Sequence, residues 1–298
     1  MKTESKMNAD YERFSNDYVL HAVKREKSLI FARAEGARLW DVHGNVYLDS
    51  MSGSAGPAMV GHARPEVAEA VARQMAALPT TNILHESVPV IEFCRRLAGI
   101  MPPGLTKTFL CTGGGEAIEA AIKFAIRVTG RPEILSLTGA YHGMSLATMG
   151  LTGMPALRKW LPGAARWPGF RQIASADCYR SPLGGGSEGW KAAVRALEAD
   201  LDGASSGQVA ALLIEIVQGP NGHTLFPAEY YAAIQRVCRE RNVLLIVDEI
   251  QTGVGRCGAM WACDLFDVRP DILVAGKALG GGFPIGTFTT RKDLIPEG

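Results

Sequence analysis

The spacing of apolar positions changes along this chain, and each change marks an element. The first regular segment, Ala37-Arg-Leu-Trp-Asp-Val-His-Gly-Asn-Val-Tyr-Leu-Asp49, alternates apolar and polar residues on either side of His43-Gly44-Asn45. Alternation about turn-forming residues predicts a β-hairpin. From about residue 63 the spacing lengthens to that of a helix. Val67, Val71 and Met75 stand four apart within Pro65–Ala77. Ile118, Ile122 and Ala125 share one face of Glu116–Val128, which Gly130 closes. In that helix Glu119 and Lys123 are spaced to pair across one turn. Lys107–Cys111 reads as a short strand, and Glu133–Leu137, Val209–Val217, Val243–Val247 and Asp271–Ala275 are short, apolar runs. Such runs suit strands covered on both faces, and helices fall between several of them, notably Ala228–Arg241. Strand and helix in alternation predict an α/β architecture with a mainly parallel sheet. Ligands of such sheets bind beyond the carboxyl ends of the strands.

Composition narrows the partners. The 298 residues allow one large α/β domain with or without a smaller one. A formal net charge of +1, with no run of Lys or Arg, argues against nucleic acid or an anionic membrane surface and for a small-molecule partner. Cys94, Cys111, Cys178, Cys238, Cys257 and Cys263 form no Cys-x-x-Cys pair and no zinc-finger spacing, so they are expected as free thiols, with no metal site. Met1 to Tyr18 is polar and lacks the apolar core of a signal peptide, and no apolar run is long enough to span a bilayer. A cytoplasmic protein is the expectation. Pro182-Leu-Gly-Gly-Gly-Ser-Glu-Gly189 reads as a surface loop.

Four strand ends carry residues suited to chemistry. Cys111-Thr-Gly-Gly-Gly-Glu-Ala117 lies between a strand and a helix. Its glycines let a ligand approach the backbone and the helix start offers unpaired N–H groups, so the segment suits an anion. A tight turn without a ligand is the plainer reading. Lacking a Gly-Lys-Ser/Thr ending, it fits a single phosphate better than a triphosphate. Asp248 follows Val243-Leu-Leu-Ile-Val247 and could cap a helix, bind a metal or pair with a protonated ring nitrogen. Lys277 follows Asp271-Ile-Leu-Val-Ala-Gly276 and precedes Ala278-Leu-Gly-Gly-Gly-Phe-Pro284. Desolvation there favours the neutral, nucleophilic amine, although a lone lysine is often only a surface group with a buried stem. Tyr141, in Ala140-Tyr-His-Gly143, could stack on a planar ring or fill the core. Together, phosphate anchor, stacking face, acid and amine are the parts of a site for pyridoxal 5'-phosphate (PLP).

Several blocks carry a family resemblance: residues 113–123 (Gly-Gly-Gly-Glu-Ala-Ile-Glu-Ala-Ala-Ile-Lys), Tyr141-His-Gly143, residues 248–258 and residues 270–284. With the hairpin and Gly61-His62, they cover nearly the whole chain. The chain resembles the class III aminotransferases (ω- and acetylornithine-type) of PLP-dependent fold type I. Pro102-Pro-Gly-Leu105, His142-Gly-Met144 and Ser205-Ser-Gly207 are similar to the dialkylglycine decarboxylase branch. The resemblance implies residues 1–60 as the N-terminal part of a small domain at a dimer interface, and 61–298 as the large PLP-binding domain. It implies a homodimer that moves an amino group from an amino acid or amine to a 2-oxo acid. It also assigns roles. Lys277 would hold PLP as a Schiff base and then shuttle a proton. Asp248 would keep the ring nitrogen protonated, and Gly114 and Gly115 would give N–H groups to the phosphate. Tyr141 would stack on the ring, and Gln251 would lie near its phenolic oxygen. Glu215 matches a strand-end glutamate of the family without an assigned role.

Departures qualify these implications. Gly115 stands where the family often has Ser or Thr, which removes a hydroxyl contact to phosphate. Pro220 and Asn221 stand where many ω-aminotransferases carry an acid that pairs with a substrate-gating arginine. Ser54 and Ala55 occupy the region where the decarboxylase branch uses a glutamine, which favours transamination over decarboxylation. The sequence stops at Gly298, before the C-terminal small domain of the family with its carboxylate-binding arginine, and lacks the threonine that reaches the neighbouring subunit's phosphate. A fragment is therefore expected, and it could be an inactive, PLP-free remnant. Two motifs point elsewhere, each more weakly. Gly253-Val-Gly-Arg-Cys-Gly258 has the form of an NAD-binding fingerprint, but Asp248-Glu-Ile-Gln-Thr separates it from its strand. Gly143-Met-Ser-Leu-Ala147 approaches a serine nucleophile elbow but lacks the final glycine and a placed Asp/His pair.

Overall fold

A computed structural model describes residues 2–20, 29–82, 84–159, 168–177, 179 and 183–296. Cys178, Pro182 and Gly298 lie outside the described residues. The chain divides into two compact units, Met1–Thr80 and Thr81–Gly298. The division falls after the helix Pro65–Ala77 rather than at residue 60. Gly36 and His62 exchange backbone hydrogen bonds, and His62 Nε2 meets Asp49 Oδ2 at 2.7 Å, so the segment beyond residue 60 stays with the hairpin.

The first unit holds helix α1 (Lys2–Tyr18), strands β1 (Phe31–Glu35), β2 (Arg38–Asp41) and β3 (Val46–Leu48), and helix α2 (Pro65–Ala77). The three strands form one antiparallel sheet. Buried Asp41 closes the β2–β3 turn by accepting N–H bonds from His43 and Asn45 and a hydroxyl bond from Tyr47.

The second unit is a sheet sandwiched between helices. Its elements in chain order are α3 (Val88–Ala98), β4 (Leu105–Cys111), α4 (Gly114–Thr129), β5 (Glu133–Leu137), α5 (Leu146–Leu151), α6 (Pro155–Arg158), β6 (Phe170–Ile173) and α7 (Gly186–Ala199). There follow β7 (Val209–Glu215), β8 (Val217–Gln218), β9 (Thr224–Leu225), α8 (Ala228–Glu240), β10 (Leu244–Asp248), β11 (Ile272–Gly276) and β12 (Gly286–Arg291). Seven strands form the sheet β4-β12-β11-β10-β7-β5-β6, parallel except at β12, which runs antiparallel to both its neighbours. The continuous apolar runs arise because both faces are covered. Leu245 and Val247 pack with Ile234 and Val237 of α8 on one face, while Ile246 packs with Ile118 and Ile122 of α4 on the other.

Local corrections have physical causes. Glu119 does not span a turn to Lys123; its Oε1 accepts from Ser145 Oγ at 2.6 Å and from the Ala147 N–H at 3.2 Å. The glycine run read as a loop becomes helix from Gly186 onward. The apolar run 209–217 breaks after Glu215, where the chain turns into the β8–β9 hairpin.

Candidate functional site

Alternation along β7 and β10 decides where their last residues point. With Leu213 and Ile246 on the α4 face, Glu215 and Asp248 fall on that same face at the carboxyl end. There a cavity of about 180 Å³ opens, lined by Gly114, Gly115, Tyr141, Asp248, Gln251 and Lys277. All six residues singled out in the sequence meet in it. Five further residues, His142, Gly143, Glu215, Val217 and Ile250, complete the lining.

The floor is the N-terminus of α4. Its first N–H groups have no acceptor within the helix, and the helix dipole adds partial positive charge there. Glu116, in the first turn, folds back to accept from the Thr112 N–H at 2.8 Å and from its hydroxyl, which fixes the turn. The glycines are packing requirements as well. A Cβ on Gly114 would sit 2.8 Å from Ile250 Cδ1, and one on Gly143 would sit 3.2 Å from Gly115 Cα. Gly286, opposite Cys111 in the register, is tighter than either: its Cβ would overlap the Gly113 carbonyl oxygen. Gly286→Ala must therefore displace the glycine turn itself. It is expected to cost about 1–3 kcal/mol of stability and to weaken phosphate-bearing ligands at the turn. Urea unfolding and ligand titration of the variant check both effects.

Asp248 is buried, and a buried carboxylate needs partners. Its Oδ2 meets His142 Nδ1 at 2.9 Å, and its Oδ1 accepts the Ile250 N–H at 3.0 Å. Among the described residues His142 Nε2 is buried without a hydrogen-bond partner, which suits the tautomer with its proton on Nδ1. His142 stood in the sequence only as part of Tyr-His-Gly. Its pairing with Asp248, 106 residues away, has no local signal. Glu215 is buried too and accepts the Tyr141 N–H at 2.9 Å. The Tyr141 ring sits half-buried, and burial raises its phenol above the ordinary range. Gln251 lies over Gly219, where a Cβ would overlap its Oε1.

Lys277 follows β11 with a left-handed φ of 47°, a strained conformation for a residue with a Cβ. It is partly buried. Burial lowers the amine's pKa, and the charges of Asp248 and Glu215 oppose that shift. The arrangement therefore offers a desolvated amine, a buried acid held by a histidine, a glycine turn at a helix N-terminus and an aromatic face around one space. Such a set fits a planar, phosphate-bearing aldehyde with a basic ring nitrogen.

The rival motifs do not form sites. Gly253–Gly258 is a run of turns leading to a short 3-10 helix (Ala262–Phe266), and Gly253 packs so closely on Trp261 that a Cβ would meet Cζ3 at 2.6 Å. No helix N-terminus faces a dinucleotide there. Ser145 hydrogen-bonds to Glu119 and Thr148, with no histidine among those partners. Among the described residues no group of His, Cys, Asp and Glu is placed to hold a metal ion.

Comparison with known proteins gives one consistent result. The family profile described as Aminotransferase class-III matches residues 20–297. The acetylornithine aminotransferase of Methanopyrus kandleri is 35% identical over 260 residues, 87% of this chain and 61% of that protein. The diaminobutyrate–2-oxoglutarate aminotransferase of Rhizobium meliloti is 37% identical over 273 residues, 88% of this chain and 57% of that protein. The crystal structure of an (S)-enantioselective omega-transaminase from Thermomicrobium roseum superposes with a TM-score of 0.88 at 33% identity, covering 96% of this chain and 66% of that one. A taurine:2-oxoglutarate aminotransferase from Bifidobacterium kashiwanohense, in complex with PLP and glutamate, gives 0.89 at 27% identity, with coverage of 96% and 66%. The chain spans about three fifths of the length of the curated relatives it matches. By profile, sequence and fold alike, this chain belongs to the class-III aminotransferase family.

Proposed function

We propose that this chain is the cofactor-binding part of a PLP-dependent aminotransferase that moves an amino group from an amino acid or amine to a 2-oxo acid. The observation that carries the reading is the convergence of Lys277 and Asp248 on one cavity floored by the start of α4. Class-III aminotransferases use PLP, and the groups present suit it. Bound there, PLP supplies an electron-withdrawing ring that stabilises negative charge on the carbon beside the transferred nitrogen.

The chain's own residues do the rest. The N–H groups of Gly114 and Gly115 would hold the phosphate, with no side-chain hydroxyl at position 115 to add to them. Tyr141 would cover a ring face. Asp248, held by His142, would offer its charge to the ring nitrogen, and Gln251 would serve the ring oxygen. The Lys277 amine is the attachment point. The same amine, when free, would be the base and acid that moves a proton at the substrate carbon.

Relatives named for acetylornithine and diaminobutyrate support amino acids with a second, terminal amine as the first donors to try. A homodimer belongs to the same proposal. Leu84, Val88, Val90 and Ile91 form an exposed apolar run around the start of α3, which suits a protein–protein contact. A cytoplasmic location is supported by the five described cysteines, all of them free. Among the described residues no helix is long and apolar enough to cross a membrane.

The test is a half-reaction. Chain loaded with PLP is mixed with acetylornithine or diaminobutyrate, and release of the carbonyl product is followed with the cofactor's absorbance. Stoichiometric conversion of cofactor to its amine form supports the reading. A loaded chain that leaves every donor unchanged contradicts it.

A further inference from the structure

Asp248 and Glu215 are register partners on the adjacent parallel strands β10 and β7, and both carboxyl groups are buried. Two buried carboxylates side by side repel, and one of them relieves the repulsion by holding a proton. Their surroundings differ. Asp248 has an imidazole nitrogen at 2.9 Å and a backbone N–H at 3.0 Å. Among the described residues Glu215 accepts a hydrogen bond from backbone, the N–H of Tyr141 at 2.9 Å, and from no side chain. The other ionisable groups that line the cavity with it are Tyr141 and His142 after β5, Asp248 on β10 and Lys277 after β11. None of these four makes a hydrogen bond from its side chain to Glu215.

We propose that Glu215 is a positioning residue that holds a proton in the native protein and leaves the charge of the carboxyl pair on Asp248. The neutral acid still accepts the Tyr141 N–H, so it fixes the Tyr141 loop. Its effect on the cofactor rests on the function proposed above: one negative charge, aimed by His142, is left for the ring nitrogen. A neutral Glu215 also leaves Lys277 with one less anion to keep its amine protonated. Burial, outweighing the nearby His142 and reinforced by the Asp248 charge, pushes the Glu215 carboxyl up to about 7.

The discriminating variant is Glu215→Gln, which has the shape and neutrality of the protonated acid. Urea unfolding of the full chain without cofactor is compared for wild type and variant from about pH 5 to about pH 8. A native state that binds one more proton than the unfolded chain loses stability as pH rises. The wild-type unfolding constant should therefore grow, relative to the variant's, by about tenfold per pH unit up to about pH 7 and then level off. A ratio that stays flat overturns the proposal. Should the glutamine variant not fold, infrared titration of the wild type decides. A protonated-carboxyl band that is lost near neutral pH, and that moves to lower pH in Asp248→Asn, supports it. No such band, or one that Asp248→Asn leaves in place, overturns it. With PLP added at about pH 6, Glu215→Gln should bind as tightly as wild type; a loss of about tenfold or more in the variant alone would show that a charged carboxylate is required there. Failure of the wild type itself to bind overturns the functional reading and leaves the proton assignment to the unfolding data.

Discussion

Lys277→Ala is expected to abolish covalent attachment of PLP while leaving the fold intact. Among the described residues Lys277 is the only lysine that lines the cavity, so no neighbouring amine can stand in for it. Burial lowers its pKa, against the opposing charges of Asp248 and Glu215, and so favours the neutral amine, the form that bonds a carbonyl carbon. Alanine keeps a Cβ and inherits the same left-handed backbone, so the variant adds no new strain at this position. Its circular dichroism should match that of the wild type. Lys277→Arg should fail in the same way, because a guanidinium stays charged at any relevant pH. The measurement is intact mass after borohydride reduction with PLP. Both variants should gain no pyridoxyl group, and a stoichiometric gain in either would remove Lys277 from its role.

The second large effect is expected at Asp248. In Asp248→Asn the side chain keeps its shape but loses the charge and one acceptor. If the asparagine oxygen faces the Ile250 N–H, its amide faces His142 Nδ1–H; turned over, it meets the Ile250 N–H with a donor instead. Either way one buried donor is left unpaired, which costs about 1–3 kcal/mol. The cost to chemistry is greater. On the proposed function the site would lose the charge that keeps the ring nitrogen protonated, and the half-reaction with an amino donor is expected to slow by on the order of a hundredfold or more. Attachment to Lys277 should survive. Stopped-flow absorbance separates the two: a normal bound spectrum with slow conversion is expected, and a rate within a few fold of wild type would show that Asp248 does not act on the ring.

Much of this arrangement was legible in the sequence because the strands are buried on both faces. Glu133–Leu137 and the core of β10 and β11 read directly as apolar runs, and Asp248 and Lys277 stand out at their ends as charged residues with no local reason to be there. The α4 face and its closing Gly130, with φ of 69°, follow from apolar spacing and a left-handed cap. What stayed hidden depends on partners distant in the chain. Strand β12 is Gly-Thr-Phe-Thr-Thr-Arg, which reads as polar, yet Thr287, Thr289 and Thr290 are buried, and Thr289 and Thr290 place their hydroxyls on Thr108 Oγ1 and the Asp271 carbonyl. Gly286, which limits the room behind the anion-binding turn, has no motif of its own. His142 and Glu215 acquire their meaning only when the sheet brings Asp248 beside both.

The buried acid after Asp248 shows the converse, a conspicuous residue with a structural task. Glu249 accepts a hydroxyl bond from Thr252 and the Cys263 N–H at 2.7 Å, tying the glycine-rich turns back to β10. That tie explains why Gly253–Gly258 has the glycine spacing of a nucleotide loop without its geometry.

The central claim is that one lysine in this cavity carries the cofactor, and the most direct measurement is to map it. Wild-type chain is incubated with PLP, reduced with borohydride, digested, and the pyridoxyl group located by mass spectrometry. The expected result is a single labelled peptide carrying the group on Lys277, with labelling suppressed by excess inorganic phosphate competing for the turn at Gly114 and Gly115. Label spread over surface lysines, with Lys277 unmodified in a folded sample, would contradict the account.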